Sequence, residues 1–155
     1  MLSNDFLKEM ESARLAHIKW LQRVQRLIEN MPVSDSMIPL NPVQSGFGHW
    51  LYSNGLEYKE LARLTSTVEN IKKYHEKLHY TYVNIYKIYF VDSKRSWLFS
   101  KLLSTHKEIP SQQQNTAYKY FEELQDISQK LIKEFDSLHR NITRVDIKIL
   151  RRATH

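Results

Sequence analysis

The chain has 155 residues, 41% hydrophobic and 26% charged, which suits one soluble domain. Zero cysteines exclude a disulfide framework and any thiolate metal site, and 3 glycines with 4 prolines argue against a turn-rich β or α/β fold and for long helices. The net charge of +6 is modest and its cations are interspersed with acids, so it points only weakly to nucleic acid, acidic lipid or an acidic partner.

The N-terminus has neither the basic start nor the apolar core of a signal peptide. No run of about 18 apolar residues follows that would span a membrane. A cytoplasmic protein is expected. Ser3, Asn4 or Asp5 can cap a first helix reaching Asn30. Within it Phe6, Met10, Ala13, His17, Trp20, Val24, Leu27 and Met31 alternate steps of four and three, the seam of a helix buried against others. His17 occupies a core position of that seam. By itself it reads as a hydrogen-bonded core residue or as a ligand. Pro32 is expected to stop the helix.

Residues 32–43 hold three of the four prolines and read as an ordered connection rather than a flexible linker. All 3 glycines fall in the next stretch, Gln44 to Gly55, among Phe47, His49, Trp50 and Tyr52. Glycine permits positive φ or close approach, so this is a tight, packed segment. A short helix is expected from His49 to Ser53, with Gly55 as its stop.

A long helix is expected from Glu57 to Val91, with Leu61, Leu64, Val68, Ile71, His75, Leu78, Tyr82, Ile85 and Tyr89 along its seam. His75 lies in the seam and His79 one turn on, so two imidazoles share a face. Tyr74, Tyr80, Tyr82, Tyr86, Tyr89 and Phe90 read as a thick core or a dimer face in preference to a cofactor box. Residues 93–104 form a short amphipathic helix and 105–114 a polar loop.

The last helix is expected from Asn115 or Thr116, with Ala117, Phe121, Leu124, Ser128, Leu131, Phe135, Leu138, Ile142, Val145 and Ile149 in its seam. Ser128 is small and polar there, so something approaches closely. After His139 the helix carries Arg140, Arg144, Lys148, Arg151 and Arg152, a favourable cationic C-terminus and solvated face more than a nucleic-acid site. This seam spans about 50 Å, long for such a bundle, and a homodimer is expected.

The fold class is therefore all-α: an antiparallel four-helix bundle with an extra short helix and a long C-terminal helix. Residues 1–155 form one domain, with its core over 5–140 and a basic helical tail over 141–155.

His17, His75 and His79 meet if their helices are neighbours at matching height. Three buried imidazoles without a shared partner are costly, and a cation offsets that cost. Neutral imidazoles suit zinc best, with nickel, cobalt or copper possible in vitro. Three protein ligands leave one coordination position open, as in zinc hydrolases, but no glutamate stands as a well-placed general base, so an enzyme is not expected.

Three segments, Ala16-His17-Ile18-Lys19-Trp20, Ser45-Gly46-Phe47-Gly48-His49-Trp50-Leu51-Tyr52 and His75-Glu76-Lys77-Leu78-His79, resemble the chemoreceptor zinc-binding (CZB) domain. Spacings of 28, 30 and 4 residues fit its pattern. Residues 120–131 resemble the family's last helix, and the likeness extends over roughly residues 5–140. The resemblance implies a zinc site at His17, His75 and His79. It also implies one departure: Ser45 stands where the family has a cysteine ligand. A serine hydroxyl is a poor zinc ligand at neutral pH, so Ser45 is at most a weak fourth ligand, and water, an anion or a carboxylate can take that place. Affinity should fall, sensing through a thiolate cannot operate unchanged, and metal can be absent.

The resemblance further implies a cytoplasmic regulatory module of bacterial chemotaxis or cyclic-di-GMP signalling, able to dimerise. Its output partner or domain would be supplied elsewhere, the 155 residues being a standalone version or a fragment. The alternatives are a metal-free dimerisation or interaction scaffold and a three-histidine hydrolase.

Overall fold

The computed structural model describes residues 4–53, 65–92 and 109–153, and their side chains over 6–53, 66–92 and 109–144. Four α-helices account for most of these residues: α1 (Asn4–Ile28), the short α2 (Gly46–Ser53), α3 (Thr65–Tyr86) and the long α4 (Ser111–Ala153). A π-helical turn, Lys87–Asp92, ends α3. Two single 3-10 turns, Asp35–Met37 and Pro42–Gln44, punctuate the connection between α1 and α2.

The expected helical bundle is present, with one correction to its arrangement. α4 runs antiparallel to α1: Glu11 lies beside His139, Arg14 beside Asp136 and His17 beside Ser128. α1 and α3, by contrast, run in the same direction and meet through large side chains across the core, rather than as antiparallel neighbours. Phe6 and Met10 share a cluster with Val68 and Ile71, Trp20 stacks against Tyr82 at 5.1 Å, and the Tyr89 hydroxyl donates to the Ile28 carbonyl. α3 begins at the same end of the bundle as α1.

Several boundaries differ from those expected, each for a local reason. α1 closes at Ile28 because Asn30 adopts a left-handed φ of 57°. The Met31 and Asn30 amides bond back to the Arg26 and Leu27 carbonyls, a Schellman closure that Pro32 only follows. Met31, expected in the seam, is consequently exposed. α2 starts at Gly46, three residues early, because Ser45 caps it. α4 starts at Ser111 and absorbs the three glutamines expected in a loop. The Pro110 carbonyl takes the first amide bonds of that helix, from Gln113 and Gln114. Glutamine is a good helix former and a proline at a helix start sacrifices no needed amide. The expected helix over 93–104, the Gly55 stop, and the seam positions Leu61, Leu64, Val145 and Ile149 lie outside the described residues or side chains.

Burial follows the seams. Every described seam residue of α3 and α4, and all of α1's except Met31, is buried. They form two apolar clusters at successive heights. One holds Phe6, Met10, Phe47, Trp50, Val68, Ile71, Leu131 and Phe135. The other holds Trp20, Val24, Leu78, Tyr82, Ile85, Phe121, Leu124 and Ile127. Each fully buried large side chain contributes about 1.5–3 kcal/mol. The half-exposed pairs Arg14–Asp136 and Lys77–Glu123 contribute about 1 kcal/mol at most. The clusters, not the ion pairs, hold the bundle. Between them lies a layer of another kind.

Candidate metal centre

That layer is polar and buried: His17 of α1, Ser45 at the head of α2, His75 and His79 of α3, and Ser128 of α4, all 6% exposed or less. Each seam delivers its polar residue at the same height because the helices share one heptad rhythm. His17 follows Ala13 and precedes Trp20, His75 follows Ile71 and precedes Leu78, and Ser128 follows Leu124 and precedes Leu131. Apolar residues seal the layer above and below.

The glycine segment brings Ser45 to this layer. None of the described glycines has positive φ, so close approach explains them. A Cβ on Gly48 would overlap the Pro42 carbonyl, and one on Gly46 would stand 2.8 Å from the Ala16 Cβ. α2 thereby lies tight on α1, with Phe47 packed against His75 and His17.

Ser45 is the N-cap of α2. Its Oγ accepts the Gly48 amide at 2.9 Å, donates to the Pro42 carbonyl at 2.8 Å and lies 3.2 Å from His75 Nε2. With its one proton on Pro42, the hydroxyl can only accept from His75. His75 Nδ1 is then left a bare lone pair, and it is buried with no hydrogen-bond partner. Trp20 Nε1, Trp50 Nε1 and Tyr82 OH share that condition. An unpaired atom alone therefore does not mark a metal site.

The His75 and His79 rings meet edge to face at 4.7 Å. His79 Nδ1 bonds the Leu40 carbonyl at 3.0 Å, which makes Nδ1 the protonated nitrogen and leaves the lone pair on Nε2. This is how outer partners usually orient a metal-binding histidine. His17 Nε2 lies 2.8 Å from Ser128 Oγ. Burial is the main cause that lowers all three pKa values, to about 4 for His17, about 3 for His75 and about 4 for His79. Charge on His79 opposes charge on both His17 and His75, and charge on His17 also opposes it on His75. Backbone carbonyls of Leu40 and Pro39 partly offset the effect of burial on His79. All three are neutral at pH 7, the form that binds a metal.

The donor chemistry thus fits a borderline metal such as zinc. The layer is not a ready-made cage. Among the described residues, no three His, Asp or Glu side chains converge as a metal-ligand group. His17 is engaged by Ser128, and Ser45 by Pro42 and Gly48.

Residues 17–86 match the family model of the chemoreceptor zinc-binding domain. Over these residues, a little under half of its length, the chain resembles a CZB domain. The matched stretch begins at His17, includes Ser45, His75 and His79, and ends with α3. No curated protein and no solved structure matched the chain. A CZB domain is a zinc-binding signalling module. No helix among the described residues is long and apolar enough to cross a membrane.

The sequence picked out the three histidines and Ser45. It missed their partners: the Ser128 hydroxyl and the carbonyls of Leu40 and Pro42. For Ser128 a signal existed, a lone hydroxyl in an apolar seam. For the two carbonyls none did, since any residue supplies a carbonyl and only the fold aims it.

Proposed function

We propose that this protein is a non-enzymatic, cytoplasmic regulatory module of bacterial chemotaxis or cyclic-di-GMP signalling, and that His17, His75 and His79 hold one zinc ion. The observation that carries this reading is the polar layer: three neutral imidazoles, two of them edge to face at 4.7 Å, buried between two apolar clusters. His75 and His79 bind through nitrogens one helical turn apart, and His17 supplies the third from α1. Bound zinc would act as a charge and a cross-link between α1 and α3. The fourth position belongs to water or an anion, with Ser45 at most a weak donor.

Metal occupancy would be read by a partner through altered helix packing. A homodimer is the natural assembly, given that α4 is about 65 Å long and outlasts the helices it packs against. Nickel or another divalent ion would bind the same set in vitro.

Metal content and affinity test the reading. Protein purified without added metal, then titrated with zinc, should take up one ion per chain, and His75→Ala should abolish uptake. A second reading, a metal-free dimerisation scaffold, is favoured by the partners His17 and Ser45 already have. It predicts no stoichiometric zinc in either protein. A hydrolase would need a substrate opening at the metal, and zinc-dependent ester hydrolysis would reveal it.

A further inference from the structure

His17 differs from the other two imidazoles in where its partner comes from. His75 is met by Ser45 and His79 by Leu40, both from the connection before α3. His17 is met by Ser128, on α4 and 111 residues away, outside the stretch that matches the family. The contact is short, 2.8 Å, and buried at both ends. The other described polar links between α1 and α4, Arg14 to Asp136 and Glu11 to His139, are partly exposed.

The contact borders an open groove of about 460 Å³, lined by Leu21 of α1 and by Ser128, Gln129, Ile132, Asp136 and Arg140 of α4.

An imidazole nitrogen has one in-plane bonding direction, which a hydrogen bond or a metal can take but not both. We infer that His17 binds zinc through Nε2, the nitrogen Ser128 engages, so that Ser128 is a latch: in the metal-free protein it holds His17 against α4, and zinc releases it, so that α4 reads metal occupancy. This rests on the three-histidine reading. A freed serine hydroxyl in a helix can turn to the carbonyl four residues back, here that of Leu124, which lowers the cost of release. Thr116 and Thr143 of α4 already bond that way, to Gln112 and His139 at 2.9 Å each.

The test is zinc affinity in the full chain, with amide hydrogen exchange across residues 121–135 as a second readout. Ser128→Ala removes the competitor and should raise zinc affinity about three- to tenfold, the scale of one net buried hydrogen bond. In a His17→Ala background the same change should do nothing. Without metal, Ser128→Ala should speed exchange in α4. Zinc should speed it in wild type and add little in the variant. If wild type binds zinc, His75→Ala abolishes binding, and Ser128→Ala weakens it or leaves it unchanged, the latch fails while the site stands. A weakened affinity would mean that Ser128 orients His17 in the loaded state instead. If neither wild type nor Ser128→Ala takes up zinc, the three-histidine reading fails and the latch with it.

Discussion

Ser45 and Gly48 are joined by a 2.9 Å hydrogen bond from the glycine amide to the serine hydroxyl, and that bond starts α2. The serine at the position where the family resemblance places a cysteine ligand is therefore employed: it caps a helix. Capping and ligation compete for the same atom, and a thiol does the first badly and the second well.

Ser45→Cys should accordingly move two quantities in opposite directions. Zinc affinity should rise by an order of magnitude or more, because a thiolate joins the three imidazoles. Stability of the metal-free protein should fall by about 1 kcal/mol, the usual worth of an N-cap. Zinc competition and urea unfolding in chelator measure the two. Unchanged zinc affinity would place the metal, if any, away from residue 45.

Acid should unfold the metal-free protein early. The unfolded chain protonates its histidines around 6.5, whereas the folded core holds His17, His75 and His79 near 4, 3 and 4. Between those values the unfolded state binds more protons, so stability rises with pH. It is fully present above about 6.5 and drains away as pH falls toward 4, at up to about 1.4 kcal/mol per pH unit for each imidazole. Urea midpoints in chelator at pH 7 and pH 5 should differ clearly, and His75→Ala should narrow the gap. A flat profile would mean that the rings are reached by water.

Gly48→Ala should destabilise the fold by about 1–3 kcal/mol, the range for overpacking. Its Cβ meets the rigid Pro42 carbonyl, which cannot swing aside like the end of a flexible side chain. Thermal unfolding should show the loss. An unchanged midpoint would indicate that the turn before α2 is looser than this packing requires.

Removing one partner of an exposed pair should do little. Arg14→Ala breaks the contact with Asp136, both about a third or more exposed, and should cost about 1 kcal/mol or less. Leu131→Ala, at a fully buried position of α4, should cost about 2–5 kcal/mol. Comparable losses for the two would contradict the view that the apolar clusters hold the bundle.

How much of this was legible beforehand follows from what each kind of signal encodes. Alternating steps of four and three specify which face of a helix is buried, so the seams from Phe6 to Leu27, Val68 to Tyr89 and Ala117 to Ile142 were readable residue by residue. The same rhythm carries no direction. It could not tell that α1 and α3 run the same way, because that depends on the path of the connection between them. Helix ends were misjudged where a backbone conformation decided them: Asn30 in its left-handed turn, Ser45 through its hydroxyl, Pro110 through its carbonyl. At the candidate site the spacing of His75 and His79 was enough to pair them. That His17 would be tied to Ser128 needed the register of α1 against α4, which periodicity alone leaves free.

The most direct measurement is X-ray absorption at the zinc edge on protein loaded with one equivalent. The predicted spectrum has three imidazole scatterers at about 2.0–2.1 Å, one lighter oxygen donor and no sulfur; one imidazole should be lost in His17→Ala and in His79→Ala, and His75→Ala should hold no zinc to observe. A zinc shell with fewer imidazoles, or one that none of these substitutions alters, would contradict a site built from His17, His75 and His79.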